Sequence, residues 1–254
     1  MVTVPARLLE LPNVSVRYQD ADVCILSKTL AESQLARPSY TNRHVLSVVR
    51  SGRQYIEVID GPSITVQAGQ ATLLQRGLYT VTDLLTQEGQ SFRAELIYFS
   101  GNHLTSVGEG AGSAAAVFDF PLDRDLPCTA ADARQLLVEC PGIDRVLSAP
   151  RRQDPVAFLE RHFDKPLTLE DLAYLTGMSV STFQRHFRRA TGQSPRSWIV
   201  ARRMQTAREL LRDRATSVRA VAEAVGYRNT SHFIAAYRRT YGHTPLTEYR
   251  HFYP

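Results

Sequence analysis

The stretch TLEDLAYLTGMSVSTFQRHFRRATGQSP, Thr168 to Pro195, decides the fold of the C-terminal part of this chain of 254 residues. Its first half places Leu169, Leu172 and Ala173 at the i, i+3, i+4 spacing of one apolar helix face. Gly177 follows, and a glycine can end a helix in the left-handed conformation without steric cost. The stretch therefore begins with a short helix that stops at a tight turn.

A second helix follows this turn, with Ser179 as a good N-cap. Phe183, Phe187 and Ala190 are predicted to face inward. Core positions are also expected at Trp198, Phe233 and Tyr237. The opposite face is polar and carries Ser181, Gln184, Arg185 and Arg188. Gln and Arg side chains can form bidentate hydrogen bonds with adenine and guanine edges in the major groove of DNA. For one isolated motif, a solvated helix surface is an equally good interpretation.

The same pattern recurs between Thr216 and Pro245, which favours the DNA-reading interpretation. Gly177 matches Gly226 at an offset of 49 residues, whereas Phe183 matches Phe233 at an offset of 50. The second turn is therefore predicted to be one residue longer than the first. An internal repeat with its apolar, glycine and proline positions in register indicates two copies of one structural unit.

The sequence predicts helix-turn-helix units at 168–190 and 216–240, joined by one long helix. The intervening residues keep a 4-3-4 apolar spacing at Val200, Met204, Ala207 and Leu211. About 19 helical residues at roughly 1.5 Å each give a spacer near 28 Å. This length is close to one DNA turn of about 34 Å, so two recognition helices could enter successive major grooves.

These paired units resemble the DNA-binding domain of the AraC/XylS family of bacterial transcription regulators, from about Asp154 to Tyr253. The family pattern A-x-x-x-G-x-S-x-x-x-F-x-R-x-F is matched by Ala173, Gly177, Ser179, Phe183, Arg185 and Phe187. The ending G-x-T-P-x-x-x-Y-R is matched by Gly242, Thr244, Pro245, Tyr249 and Arg250. The resemblance implies a transcription activator that binds double-stranded DNA and recruits RNA polymerase.

The resemblance also implies which residues contact DNA. Base-reading positions are expected at Ser181, Gln184, Arg185, Arg188, Thr230, Ser231, Ile234 and Ala235. Phosphate contacts are expected at Arg189, Arg196, Arg228, Asn229, Arg238 and Arg239. Many relatives carry Arg where this chain has Ala235, so the first unit should provide most of the sequence discrimination.

Charge divides the chain into two predicted domains, 1–149 and 150–254, with a linker at Ser148 to Asp154. The first has 12 Lys plus Arg and 16 Asp plus Glu, a net charge of −4. The second has 18 and 9, a net charge of +9. A basic domain beside an acidic one is typical of a polyanion-binding module joined to a regulatory module.

The N-terminal domain is predicted to be an antiparallel β barrel or sandwich, because short Val-, Ile-, Thr- and Tyr-rich runs alternate with turns. These runs are HVLSVVRSG, QYIEVIDG, SITVQAG, QATLLQRG, LYTVTDLL and SFRAELIYFSG. The fold class is thus two-domain α+β. The resemblance implies a cupin-like regulatory domain that binds a small apolar or acidic effector or a partner protein. TAADARQLLVE predicts one short helix where many relatives have a longer pair that dimerises, so a homodimer remains open.

A cupin-like metal enzyme with an accessory helical domain is the main alternative function. Metal-binding cupins use a His-x-His pair, but His44 is followed two residues later by Leu46. We therefore expect no metal, no cofactor and no catalytic residues. An adaptor protein that has lost DNA binding is a third alternative, suggested by Ala235.

The expected location is the cytoplasm, because the chain has neither a signal-peptide pattern nor an apolar run of membrane-spanning length. Cys24, Cys128 and Cys140 are widely spaced, which favours reduced buried thiols over disulfides or zinc ligands.

Overall fold

A computed structural model describes residues 2–100, 115–141, 143, 153–212 and 217–252. The chain divides into two compact units, residues 1–150 and residues 151–254. The predicted linker lies mostly outside the described residues. None of the described helices combines the length and the hydropathy needed to cross a membrane.

The first unit consists mainly of β strands. In chain order the strands are β1 Val2–Val4, β2 Val14–Gln19, β3 Val23–Leu30, β4 Gln34–Thr41, β5 His44–Ser51, β6 Arg53–Val58, β7 Ser63–Gln67, β8 Gln70–Leu74, β9 Gly77–Leu84, β10 Phe92–Phe99 and β11 Ala115–Asp119. A 3-10 turn spans Leu8–Glu10, and helix α1 spans Ala130–Glu139. Strands β5 to β10 and helix α1 confirm the sequence prediction, which did not identify β1 to β4.

Two sheets form this unit. One has the strand order β1-β4-β9-β6-β7 and the other has the order β11-β8-β5-β10-β3-β2. The pairing of β1 with β4 is parallel. The other described pairings are antiparallel, as for Leu96, which lies opposite Leu26 on one side and Ser47 on the other. The predicted antiparallel β class is confirmed.

The six-stranded sheet is buried on both faces, as β5 illustrates. Val45 and Val49 pack in a core that includes Ile56 and Tyr79 from the five-stranded sheet. Leu46 and Val48 point to the opposite face and join a second core with residues of helix α1. Alternate residues of a strand point to opposite faces, so this nearly continuous apolar strand supplies both cores.

The second unit is helical. Its helices are α2 Pro155–His162, α3 Leu169–Leu175, α4 Val180–Thr191, α5 Pro195–Leu210, α6 Val218–Ala224, α7 Thr230–Tyr241 and α8 Pro245–Phe252. Helix α5 is the predicted linking helix, and it has 16 residues rather than about 19. Its length is therefore near 24 Å at roughly 1.5 Å per residue.

Two predictions about buried side chains in this unit need correction. Ala190 is exposed and does not face inward, because it lies beside the polar face of α4 near the end of that helix. Trp198 is half-buried, and its ring meets the buried ring of Phe187 edge-on at 5.7 Å. Phe183, Phe187, Phe233 and Tyr237 are fully buried, as predicted.

Candidate nucleic-acid interface

The first helix-turn-helix unit consists of α3 and α4, and its ends are fixed by side-chain caps. Thr168 and Asp171 form a reciprocal capping box, in which the backbone N–H of each donates to the side chain of the other. Gly177 adopts a φ of 67°, which only glycine takes without strain. Ser179 then caps α4 by accepting a hydrogen bond from the backbone N–H of Thr182 at 3.3 Å.

The second unit, α6 and α7, repeats this frame. Ser217 caps α6 by accepting from the N–H of Ala220 at 3.1 Å, and Gly226 takes the left-handed conformation at φ 84°. Helices α4 and α7 each have 12 residues, and each ends at a left-handed glycine. Four residues separate α3 from α4 and five separate α6 from α7, so the prediction of a longer second turn is confirmed.

The outer face of α4 presents the side chains that the sequence assigned to DNA. Phe183 and Phe187 are buried and stacked, with ring centroids 6.0 Å apart. Exposed on the opposite side are Ser181, Gln184, Arg185, Arg188 and Arg189. Arg196 is also exposed, in the first turn of α5. Gln and Arg side chains on such an exposed helix face can form hydrogen bonds with base edges in the major groove of duplex DNA.

Helix α7 presents a less polar outer face than α4. Ser231, Ala235, Arg238 and Arg239 are exposed, but Ile234 is half-buried against the core formed by Met204, Phe233 and their neighbours. Thr230 is also half-buried. The assignment of Thr230 and Ile234 to base reading is not tested by the structure and stays a prediction.

Two predicted phosphate contacts lie in the turn before α7. Arg228 is exposed. Asn229 caps α7, because its Oδ1 accepts hydrogen bonds from the backbone N–H groups of Ser231 at 2.8 Å and His232 at 3.2 Å. The amide nitrogen of Asn229 is the part of the side chain that can still donate to a phosphate.

A groove between the two helix-turn-helix units brings together residues from both that are predicted to contact DNA. Gln184 lines it from the first unit, Arg196 from the start of α5, and Ala235 and Arg239 from the second unit. Ser181, Arg185 and Arg188 lie outside this groove, on the exposed face of α4. His232 also lines the groove and was not identified from the sequence. Its spacing of three residues from Ala235 and seven from Arg239 places all three on one helix face, and this spacing could have revealed it.

Arg203 and Arg208 of α5, which the sequence alone predicts to lie on a solvated, salt-bridged helix face, have other partners. Arg203 is half-buried and donates to three backbone carbonyls, those of Phe163, Lys165 and Gly226. Arg208 donates from Nε to Glu248 of α8 at 2.9 Å. These partners lie 23 to 40 residues away along the chain, so local spacing on α5 does not predict them.

The sheet unit, residues 1–150, holds a separate polar cluster in its interior. Lys28 and Asp83 form a buried ion pair, and Gln54 Nε2 donates to Asp83 Oδ1 at 2.8 Å. Ser47 Oγ donates to Gln54 Oε1 at 3.0 Å. We call these four residues the interior polar cluster. It lines one side of a small cavity between the sheets, whose other walls include Val45, Ile56, Leu74, Val81 and Leu96.

His44, the candidate metal ligand of the enzyme alternative, is buried and already hydrogen-bonded. Its Nδ1 accepts from the backbone N–H of Arg76 at 3.3 Å, and its ring stacks on Phe99. Burial, with a smaller contribution from the charge of Arg76, lowers the pKa of His44 to about 4. Within the described ranges, no three or more His, Cys, Asp or Glu side chains are grouped to hold a metal ion.

The three cysteines are free thiols. Cys24 and Cys140 are buried, and burial raises the pKa of both, to about 11 for Cys140. Cys128 is exposed, so the prediction that all three thiols are buried is wrong for this residue. It lies just before helix α1, where the chain is at the surface.

Comparison with known proteins gives matches to the helical unit. Residues 172–251 match the family model described as a helix-turn-helix domain. The chain is 36% identical over 88 residues to the HTH-type transcriptional regulator ExsA of Pseudomonas aeruginosa, which covers 35% of this chain and 32% of the relative. It is 38% identical over 82 residues to the transcriptional activator NphR of a Rhodococcus species, which covers 32% of this chain and 24% of the relative. The matched part thus spans about a third or less of these relatives.

A solved structure of an AraC-type transcriptional regulator from Chromobacterium violaceum also matches, with 28% identity and a TM-score of 0.36. The match covers 39% of this chain and 89% of that chain. The repeated units, their capped turns and the sequence relatives agree with the resemblance drawn from the motifs. Over residues 172–251, the chain carries a helix-turn-helix domain.

Proposed function

We propose that this protein is a sequence-specific DNA-binding transcription regulator, and an activator, that binds a bipartite duplex site. The observation that carries the proposal is the repeat of one capped frame, in which α4 and α7 each bury aromatic residues and expose basic ones. The net charge of +9 over residues 150–254 favours a polyanionic partner. The names of the relatives, a regulator and an activator of transcription, support the same function.

Within this proposal the two helix-turn-helix units make different contacts with DNA. Ser181, Gln184, Arg185 and Arg188 of the first unit would read base edges, because they are exposed on one recognition helix. The second unit would supply mainly phosphate contacts through Arg228, Arg238 and Arg239, with Asn229 beside them. Arg189 and Arg196 would contact the phosphate backbone of the DNA near the first helix-turn-helix unit. Phosphate contacts fix the register and base contacts give specificity.

In vitro selection from a random duplex library with the purified full chain, at about 0.15 M salt, tests the proposal. We expect an enriched motif of two blocks whose centres lie about 10 to 10.5 bp apart. Recovery of one block would assign the second unit to phosphate binding. Absence of enrichment with both the full chain and residues 150–254 would contradict the proposal.

Control of this regulator would enter through the sheet unit, by a small-molecule effector or a partner protein. The cavity beside the interior polar cluster has apolar walls and one charged side. This combination suits a small apolar molecule with an acidic or polar group, because few placed polar groups in an apolar pocket give orientation and specificity. A panel of such compounds should raise the melting temperature of the wild-type sheet unit, and Lys28→Met should abolish the shift.

The remaining partners follow from the proposed role. An activator recruits RNA polymerase, and it acts in the cytoplasm because bacterial DNA lies there. A homodimer is compatible with a bipartite site, and analytical ultracentrifugation of the full chain would establish it. We propose no catalytic reaction and no metal. One equivalent of metal per chain in elemental analysis would instead favour the cupin-like enzyme.

A further inference from the structure

We propose that Arg203 fixes the distance and orientation between the two helix-turn-helix units, and so selects the separation of the two half-sites on DNA. The inference rests on the proposed DNA-binding function. It concerns a positioning residue that has no predicted contact with DNA. Three observations at one junction support it.

The first observation is that the guanidinium of Arg203 bridges the two halves of the helical unit. Its Nε donates to the carbonyl of Phe163 at 2.7 Å, and its Nη2 donates to that of Lys165 at 2.9 Å. Both carbonyls lie in the segment that leads from α2 into the first helix-turn-helix unit. Its Nη1 donates to the carbonyl of Gly226, in the turn of the second unit, at 3.2 Å.

The second observation is that the same turn touches the same segment directly. A Cβ added to Gly226 would lie 2.0 Å from the carbonyl oxygen of Asp164. Gly226 also has a φ of +84°, which a side chain would strain. The backbone of the second unit thus lies against the segment that leads into the first unit, at a distance that only glycine permits.

The third observation is that the guanidinium is enclosed. It lies over the ring of Tyr227, 5.5 Å from the centroid, and burial lowers the pKa of Arg203. A planar guanidinium can direct several N–H donors at fixed angles, whereas a lysine ammonium is a single compact charge. Three carbonyls from two separate segments therefore require an arginine at this position.

Fixed geometry has a consequence for binding. When two modules are joined, binding of the first raises the effective concentration of the second at its site, provided that the connection matches the separation of the sites. If the junction is rigid, the effective concentration of the second unit is high for only one separation of the two half-sites. Without the junction, the units would bind the matched duplex less tightly and would tolerate other separations better.

Binding of the full-length protein to four duplexes tests the inference. They are the selected bipartite site, the same site with 2 or 5 bp inserted between the blocks, and the first block alone. Insertion of 5 bp turns the second block by about half a helical turn. For the wild type, we expect this insertion to weaken binding by at least about tenfold.

Arg203→Met should reduce this insertion penalty to less than about threefold, by weakening binding to the matched site, while affinity for the first block changes by less than about twofold. Arg203→Lys should give an intermediate penalty, because it keeps the charge but not the planar set of donors. Circular dichroism and thermal melting would show how much of each variant is folded.

Arg208→Ala is the matched control on the same helix. Arg208 bonds to Glu248 of α8, and this ion pair does not involve the first unit. The variant should melt earlier but retain the full insertion penalty. Wild-type failure to bind any bipartite site would contradict the proposed function itself. Wild-type binding with an unchanged penalty in the Arg203 variants, or with equal losses on the single block, would overturn the role of Arg203 alone.

Discussion

The two units of this chain differ in where they carry the polar side chains that matter for recognition: the sheet unit buries a polar cluster, and the helical unit exposes a row of basic residues. In the sheet unit, Lys28 and Asp83 are paired in the interior, and His44 is buried beside Phe99. In the helical unit, Arg185, Arg188 and their neighbours stand exposed on a frame of buried aromatic residues.

This difference separates two kinds of recognition and two kinds of mutational effect. An enclosed polar group can be reached by a small molecule, whereas an exposed row of basic side chains can be reached by a duplex. Changes to the interior polar groups should lower the free energy of unfolding. Changes to the exposed arginines should weaken binding and leave the free energy of unfolding almost unchanged.

The largest expected effect is that of Lys28→Met. Removal of the ammonium leaves the carboxylate of Asp83 buried without its cation, so the sheet unit should lose about 3 to 5 kcal/mol in the free energy of unfolding. Urea unfolding followed by the β signal in circular dichroism measures this loss. The chain has one tryptophan, Trp198, in the helical unit, so its fluorescence follows the other unit in the same sample.

A double variant serves as the control for this loss. Lys28→Met with Asp83→Leu removes both charges, and replacement of a whole buried pair is often close to neutral. The double variant should therefore be more stable than Lys28→Met alone. An equal shift of the Trp198 transition would contradict the assignment of the effect to the sheet unit.

The second prediction concerns the pH dependence of the sheet unit. Burial lowers the pKa of His44 to about 4 in the folded chain, against about 6.5 for a solvent-exposed histidine. The unfolded chain therefore binds more protons between these values, and stability rises with pH in that window. Full stability is present above about pH 6.5, and about 3 kcal/mol is lost as the pH falls to 4.

Urea unfolding at intervals between pH 4 and pH 7.5 measures the slope. His44→Gln is the control, because its side-chain oxygen can accept from the N–H of Arg76 but does not titrate in this range. The variant should flatten the pH dependence of the sheet transition between pH 5 and 6.5. A slope that persists in the variant would show that other groups cause it.

The helical unit could be predicted almost completely from the sequence, because its signals are local. Caps, left-handed glycines and apolar spacing act within a few residues, and the offset of 49 rather than 50 at Gly226 already showed the longer turn. The partners of Arg203 and Arg208 could not be predicted. Each depends on a contact between residues about 40 positions apart.

The sheet unit was predicted as a class, and its first four strands were missed. Strand β4 contains Pro38 and has exposed residues at the consecutive positions Leu35 and Ala36, so it lacks the clear alternation of a half-buried strand. The interior polar cluster was also missed. Lys28, Ser47, Gln54 and Asp83 lie on four different strands, and only the strand order makes them neighbours.

The third prediction concerns DNA binding by Arg185 on the exposed face of α4. Arg185→Ala should cost about 1 to 3 kcal/mol in binding free energy and relax the preference at one base pair. The free energy of unfolding should stay within about 0.5 kcal/mol of the wild type, as for most exposed positions. Fluorescence anisotropy with the selected duplex and its single-base variants measures both quantities. Uniform weakening on every duplex would argue against base reading by this residue.

The smallest expected effect is that of Arg239→Ala in the second unit. Arg239 is exposed and lies two residues before the end of α7, where we place it against a phosphate. Loss of one phosphate contact should weaken binding to all sequences alike and lower the slope of log K against log salt by about 1. Titrations between about 0.05 and 0.3 M salt, on selected and scrambled duplexes, measure the slope. Arg219→Ala is the control, because Arg219 is exposed on α6 and paired with Glu223. If Arg239→Ala instead changed the preferred base at one position, Arg239 would read a base edge, and its assignment to a phosphate would be wrong.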